Sequence, residues 1–266
     1  GDIIALAEKN SQIHVAVKAA SELKTSDYIL NITTTQKSKN LETETNNENI
    51  SIVKKLSSQV FGFKVGYRSF YSKDLDKLLA EIKKSKCFLF LDLKLHDIPN
   101  TVTSAIASLS KINPDSLTLH ISGGKAMLEE SLIAVKENKL KTKLLGVTLL
   151  TSLDHKDSKL IFSESGTDLL VNRFAKVAND SKIHGLICSG QDLNNLQKFK
   201  KLIKITPGVK LYARKDDQKR VTFVHEALKN GADYVVIGRE IIDSKDPLKL
   251  LKKYYEENKN KDLWTN

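Results

Sequence analysis

Three charged residues stand where an apolar strand should end. The run "FLFLDLKLHDIPNTV", residues 88–102, passes from four apolar residues into Asp92, Lys94 and Asp97, with His96 among them. A buried strand carries charge only where the charge is paired or used. Asp92 and Lys94 are two residues apart, so strand alternation turns both to one side, while Leu91 and Leu93 turn to the other. "FKVG", residues 63–66, ends a second apolar run with Lys64. Lys64, Asp92, Lys94 and Asp97 form an alternating set of two ammonium groups and two carboxylates. An ammonium held beside carboxylates can stabilise a developing negative charge and then deliver a proton. The same four charges could instead form a purely structural ion-pair network. Burying each ion costs several kcal/mol, at order of magnitude, before pairing offsets anything.

A second group lies nearer the C-terminus. "TPG", residues 206–208, and "IGR", residues 237–239, each close an apolar run, and Gln218 lies between them in "DDQKR". Glycine exposes backbone N–H groups and arginine grips phosphate with two parallel bonds. Gln218, Gly238 and Arg239 are therefore candidate phosphate-site residues, with the 206–208 turn beside them. The six histidines show no ligand spacing, so no metal site is expected. Neither a Ser-His-Asp grouping nor a nucleophile elbow is present.

What must position these residues is an alternation of strands and helices. Apolar runs at 28–32, 61–65, 87–93, 116–120, 144–149, 183–188, 203–206 and 234–238 read as strands. Amphipathic stretches follow them at 50–59, 74–84, 101–111, 125–138, 167–180, 193–201, 221–230 and 247–257. Eight alternations predict an α/β chain with a parallel sheet, specifically a (β/α)8 TIM barrel. Barrel active sites lie at the C-terminal ends of the strands, and phosphate commonly sits in the loops after strands seven and eight. Both charged groups fall at such ends. An open doubly wound sheet would carry a Gly-rich turn after its first strand, and none is present.

A single domain spanning 1–266 is expected. "QIHVAVKAASEL" fits a helical stripe better than strand alternation and predicts a helical N-terminal segment ahead of the barrel. Residues 35–49, "TQKSKNLETETNNEN", are polar and aperiodic, and read as a flexible insertion between strands one and two. Residues 151–166 read as a long loop after strand five.

Bulk composition narrows the classes. The net charge of +11 accompanies only 6% aromatics, and the lysines are spread along the chain. That pattern predicts a solvated basic surface rather than a nucleic-acid site. No run of 18 apolar residues is present, so no membrane span is expected. Cys87 and Cys188, far apart in apolar runs, predict buried reduced thiols and a cytoplasmic location. No signal-peptide pattern is visible, and Gly1 in place of Met is expected to reflect processing or a cloning boundary.

In chain order, "FKVG", "FLDLKLHDIPNTV", "GVTLLTSL", "CSGQDL", "TPGV", "DDQKRV" and "DYVVIGR" resemble the successive motifs of the orotidine 5′-monophosphate decarboxylase family. The Asp-x-Lys-x-x-Asp core also resembles that of magnesium-dependent sugar-phosphate decarboxylases and synthases. There, Ile-Pro-Asn-Thr and the Asp-Gln loop are not expected. The resemblance implies cofactor-free decarboxylation of orotidine 5′-monophosphate to UMP. It implies that Lys64 and Asp92 hold the ribose and each other, and that Lys94 protonates C6. By the same resemblance Asp97 and Thr101 reach a partner's site in a homodimer, and Ser152 touches the pyrimidine. Pro207 would line the pocket, while Gln218, Gly238 and Arg239 would hold the phosphate. Two rival readings are a magnesium-dependent enzyme of the same superfamily and an impaired, nucleotide-binding barrel.

Several positions depart from the family pattern. Asn31 stands where an Asp is expected to contact the ribose, which predicts weaker ribose binding. Asp216 replaces a common Gly, Glu240 replaces a common Pro, and the 35–49 segment is atypical.

Overall fold

A computed structural model describes residues 46–164, 166–212 and 221–258, together with the main chain of 29–31. Eight strands hydrogen-bond in sequence order in one sheet. They are β1 (Ile29–Asn31), β2 (Gly62–Gly66), β3 (Phe88–Leu95), β4 (Ser116–His120), β5 (Lys143–Val147), β6 (Gly185–Ile187), β7 (Ile203–Pro207) and β8 (Tyr234–Val236). The pairs β1–β2, β2–β3, β4–β5, β5–β6 and β6–β7 are parallel. Parallel order with helical crossovers is the α/β class expected from the alternation, and it is consistent with a (β/α)8 barrel.

The chain divides into two compact units, residues 1–92 with 207–266, and residues 93–206. In the first unit β1 lies against both β2 and β8. Helices α1 (Asn47–Leu56), α2 (Tyr67–Phe70), α3 (Leu75–Lys84), α9 (Val224–Lys229), α10 (Arg239–Ile242) and α11 (Pro247–Asn258) accompany these strands. α3 shows why they form. Leu78 and Ile82, one turn apart, are fully buried, with Asp76 in the first turn and Lys83 and Lys84 in the last. Those charges complement the helix dipole. Phe63, Phe90 and Leu56 fill the core, each adding roughly 1.5–3 kcal/mol by burial.

In the second unit, β4 to β7 alternate with α4 (Pro99–Ser108), α5 (Gly124–Glu137), α6 (His155–Phe162), α7 (Thr167–Asp180) and α8 (Leu193–Leu196). Pro99 opens α4, where its missing N–H leaves no gap. Leu119, Leu144, Leu145 and Leu186 are fully buried.

Two sequence expectations change. The 151–166 connection is not loop throughout, because it contains α6. Its start is built by a capping box: Asp154 accepts the N–H groups of Lys156 and Asp157, and Asp157 accepts that of Asp154. The D-x-x-D spacing signals this cap, but the segment has too little apolar periodicity to read as a helix. The other change concerns the end of the 35–49 segment. Asn47 begins α1, and Asn46 and Asn49 are buried. Asn46 Nδ2 donates to the carbonyls of Ser69 (3.0 Å) and Lys73 (3.1 Å), while Asn49 Nδ2 donates to Asn46 Oδ1 (2.8 Å). Polar composition suggested solvent there, whereas the Asn46 amide satisfies two main-chain carbonyls inside the fold and the Asn49 amide donates to Asn46 and to the Ser69 hydroxyl. The N-terminal segment expected to be helical and residues 35–45 lie outside the described residues.

Candidate active site

The first unit brings Lys64 and Asp92 together. β2 is buried along its whole length, and its register with β3 sets Lys64 opposite Phe90 and Gly66 opposite Asp92. Lys64 Nζ donates to Asp92 Oδ2 at 2.5 Å, with both residues only 6% exposed. With both partners ionisable and out of solvent, this is a charge-assisted bond, stronger than one between neutral groups. Asn31, the last residue of β1, is in register with Lys64. Beside the pair, Tyr67 begins α2. Partial burial and the negative charge of Asp92 raise its hydroxyl pKa above the usual tyrosine value.

The same unit holds Pro207, Gly238 and Arg239. Pro207 ends β7, and Gly208, at φ +76°, takes a left-handed turn that a side chain would strain. Its N–H donates to the Val236 carbonyl at 3.1 Å, tying this turn to β8. Gly238 is buried and Arg239 exposed at the start of α10. Glu240, next in sequence, accepts the N–H groups of Leu211 (2.7 Å) and Tyr212 (3.3 Å). Tyr212 in turn donates its hydroxyl to Glu257 at 2.5 Å and meets the Tyr254 ring edge-on. Glu240 thus clamps the chain after β7 to the turn bearing Arg239. Gln218 and Asp216 lie outside the described residues.

The second unit holds Lys94, Asp97, Thr101 and Ser152. Lys94 is half-buried, and its main chain adopts φ +42°. Strand alternation, which assumes extended backbone, therefore does not by itself aim its side chain. The Lys94 N–H donates to Thr118 Oγ1 at 2.8 Å, and Thr118 is fully buried in β4. Asp97 is exposed and accepts the Ile98 N–H at 2.7 Å, ordering the turn into α4. Thr101, in the first turn of α4, and Ile98, 65% exposed, lie open on the same stretch. His96 and His120 face each other, with ring centroids 5.1 Å apart. Ser152 is exposed in the turn ahead of α6. Thr148 donates its hydroxyl to the Ile187 carbonyl at 3.0 Å and holds the start of that connection. Among the described residues, no three His, Cys, Asp or Glu side chains group as metal ligands.

The family model described as "Orotidine 5'-phosphate decarboxylase / HUMPS family" matches residues 11–254. The chain belongs to this family. An orotidine 5′-phosphate decarboxylase of Wolbachia sp. subsp. Brugia malayi (strain TRS) is 41% identical over 209 residues, 78% of this chain and 92% of that protein. One of Erythrobacter litoralis (strain HTCC2594) is 38% identical over 199 residues, covering 74% and 87% respectively. Among solved structures, the orotidine 5′-phosphate decarboxylase of Lactobacillus acidophilus aligns with a TM-score of 0.65 at 27% identity. It covers 79% of this chain and 93% of that one. The Methanocaldococcus jannaschii orotidine 5′-monophosphate decarboxylase complexed with inhibitor BMP, at 21% identity and a TM-score of 0.64, shares the fold. It covers 80% of this chain and 92% of that one.

For a member of the orotidine 5′-phosphate decarboxylase / HUMPS family, two residues stand out that sequence reasoning missed. Thr118 reads in the sequence as an ordinary strand residue. Its signal was faint: "SLTLH" alternates Ser116 and Thr118 with leucines in a strand that burial closes on both faces. Glu240 registered only as a departure. Its role needs the approach of Leu211 and Tyr212, 29 and 28 residues away in sequence.

Proposed function

We propose that this chain, as one (β/α)8 barrel domain spanning 1–266, decarboxylates orotidine 5′-monophosphate to UMP. The carrying observation is the buried Lys64–Asp92 pair at the head of an Asp-x-Lys-x-x-Asp string, in a chain of this family. Curated relatives at 32–41% identity bear the decarboxylase name, which favours this activity over the magnesium-dependent alternative and over an impaired barrel.

The bond between C6 and the carboxylate breaks, CO2 leaves, and the electron pair stays on C6. The Lys94 ammonium stabilises that charge and then transfers a proton to C6. Asp92 and Lys64 hold the ribose and each other, so that neither charge is left uncompensated in a dry site. Asn31 meets a ribose hydroxyl as a neutral amide. Ser152 contacts the pyrimidine, Pro207 lines the pocket, and Gln218, Gly238 and Arg239 hold the phosphate. Binding at the phosphate supplies stabilisation that the bare base cannot. No cofactor is required. A homodimer, with Asp97 and Thr101 entering the partner's site, accords with the exposed stretch from Asp97 to Thr101. A cytoplasmic location accords with Cys87 and Cys188 remaining thiols, although only Cys188 is buried as expected and Cys87 is partly exposed.

The test follows absorbance as orotidine 5′-monophosphate is consumed, with and without EDTA. Turnover unaffected by EDTA is expected, and Lys94→Ala should lower kcat/KM by about 10⁴-fold or more. Loss of turnover in EDTA would instead support the magnesium-dependent reading. No turnover alongside tight UMP binding would make the chain a nucleotide-binding barrel.

A further inference from the structure

We propose that Thr118 is a positioning residue for Lys94, setting the direction of its ammonium through the main chain. The inference rests on the reading of Lys94 as the proton donor. Lys94 sits at φ +42°, in the left-handed region where an L side chain crowds its own backbone. A non-glycine residue keeps such a conformation only where its surroundings over-determine it, and such residues cluster at functional sites. Here one determinant is visible. The Lys94 N–H donates to Thr118 Oγ1 at 2.8 Å, from one sheet strand to its neighbour.

Thr118 is well suited to hold a main chain still. It has no solvent exposure, lies between the buried Leu117 and Leu119, and is in register with Leu145 of β5. Its branched Cβ restricts χ1, so the hydroxyl has little freedom to move away. The hydroxyl takes an N–H that an undistorted strand would give to a carbonyl. That exchange lets Lys94 turn out of extended geometry without leaving a main-chain donor unsatisfied. The turn changes the Cα–Cβ direction at the root of a four-carbon stem, so a small rotation there moves the ammonium by ångströms. Misplacing a reacting group by about 1 Å lowers rate by about 100-fold.

Thr118→Val keeps the shape and removes the acceptor; Thr118→Ser keeps the acceptor and removes the methyl. The valine variant is expected to lower kcat by about 10- to 100-fold while KM and UMP affinity stay within about twofold, and the serine variant to stay within about threefold of the parent. A merely structural role would move stability and UMP affinity together with kcat, and serine would not restore the rate. Should Thr118→Val fail to fold, Thr118→Ser against Thr118→Ala carries the same contrast. Equal rates for serine and the acceptor-free variant, or a valine kcat within twofold of the parent, would overturn the inference. Lys94→Ala separates the two ideas: full turnover by it sinks the Lys94 reading, whereas its inactivity beside a fully active valine variant sinks the Thr118 inference alone.

Discussion

Lys64 and Lys94 carry the same charge on the same stem, yet the two units hold them by different means. In the first unit, Lys64 is fixed at its tip, where Nζ meets Asp92 out of solvent. In the second, Lys94 is governed at its root, where a left-handed main chain is pinned by Thr118 and the side chain remains half-buried. A lysine held at the tip is part of the fold's electrostatic balance. A lysine whose main chain is fixed has the direction of its stem set at the Cα, before its ammonium meets any partner. The same side chain is thus held by two different supports in the two units.

The largest effect that could break this contrast concerns the buried pair. Lys64→Ala or Asp92→Ala should destabilise by about 3–5 kcal/mol, because each strands a buried ion. Denaturant unfolding measures this directly. Replacing both residues by Met and Leu should recover most of that loss while leaving no turnover. A single variant as stable as the parent would mean that Lys64 is not held electrostatically. Thr118→Val, by contrast, should act on rate.

Next in size is the clamp on the chain after β7. Glu240→Ala frees the N–H groups of Leu211 and Tyr212 beside Arg239. Losing about 1.4 kcal/mol of this support should raise KM roughly tenfold with kcat little changed. Steady-state kinetics would show it; a fall in kcat alone would place Glu240 with the reacting groups.

A pH-dependent effect of similar size compares two carboxylates. Asp92 is buried against an ammonium, whereas Asp192 is partly buried and accepts the Ser189 N–H at 3.0 Å. Burial pushes the Asp192 pKa up from 3.8 to about 6. Between those values the folded chain holds more protons than the unfolded one, so this group's contribution falls as pH rises from about 4 to 6. Asp192→Asn should therefore add about 1–2 kcal/mol at pH 7.5 and nothing near pH 3.5, read from paired melts. Equal stability at both pH values would show that burial does not penalise this charge.

Much of the molecule was legible beforehand. "FLFL" into Asp92, and "FKVG", announced buried strands ending in charge, because a parallel sheet covered on both faces is written as unbroken apolar runs. α6 was hidden because its signal is a cap rather than a stripe: Leu160 and Ile161 are exposed, leaving no apolar face to detect. Asn46 and Asn49 misled for the opposite reason, since an amide hydrogen-bonded inside the fold looks on paper like one in water.

Sequence alone determined the order of the strands and their alternation with helices, α6 excepted, the family, and which side chains could carry acid–base chemistry, because periodicity and residue type are local properties. Tertiary structure decided that Lys64 pairs with Asp92, that Thr118 holds Lys94 out of extended geometry, and that Glu240 binds the segment after β7. These depend on hydrogen bonds whose partners lie 24 to 29 residues apart, and direction across such a span is set by the packed fold.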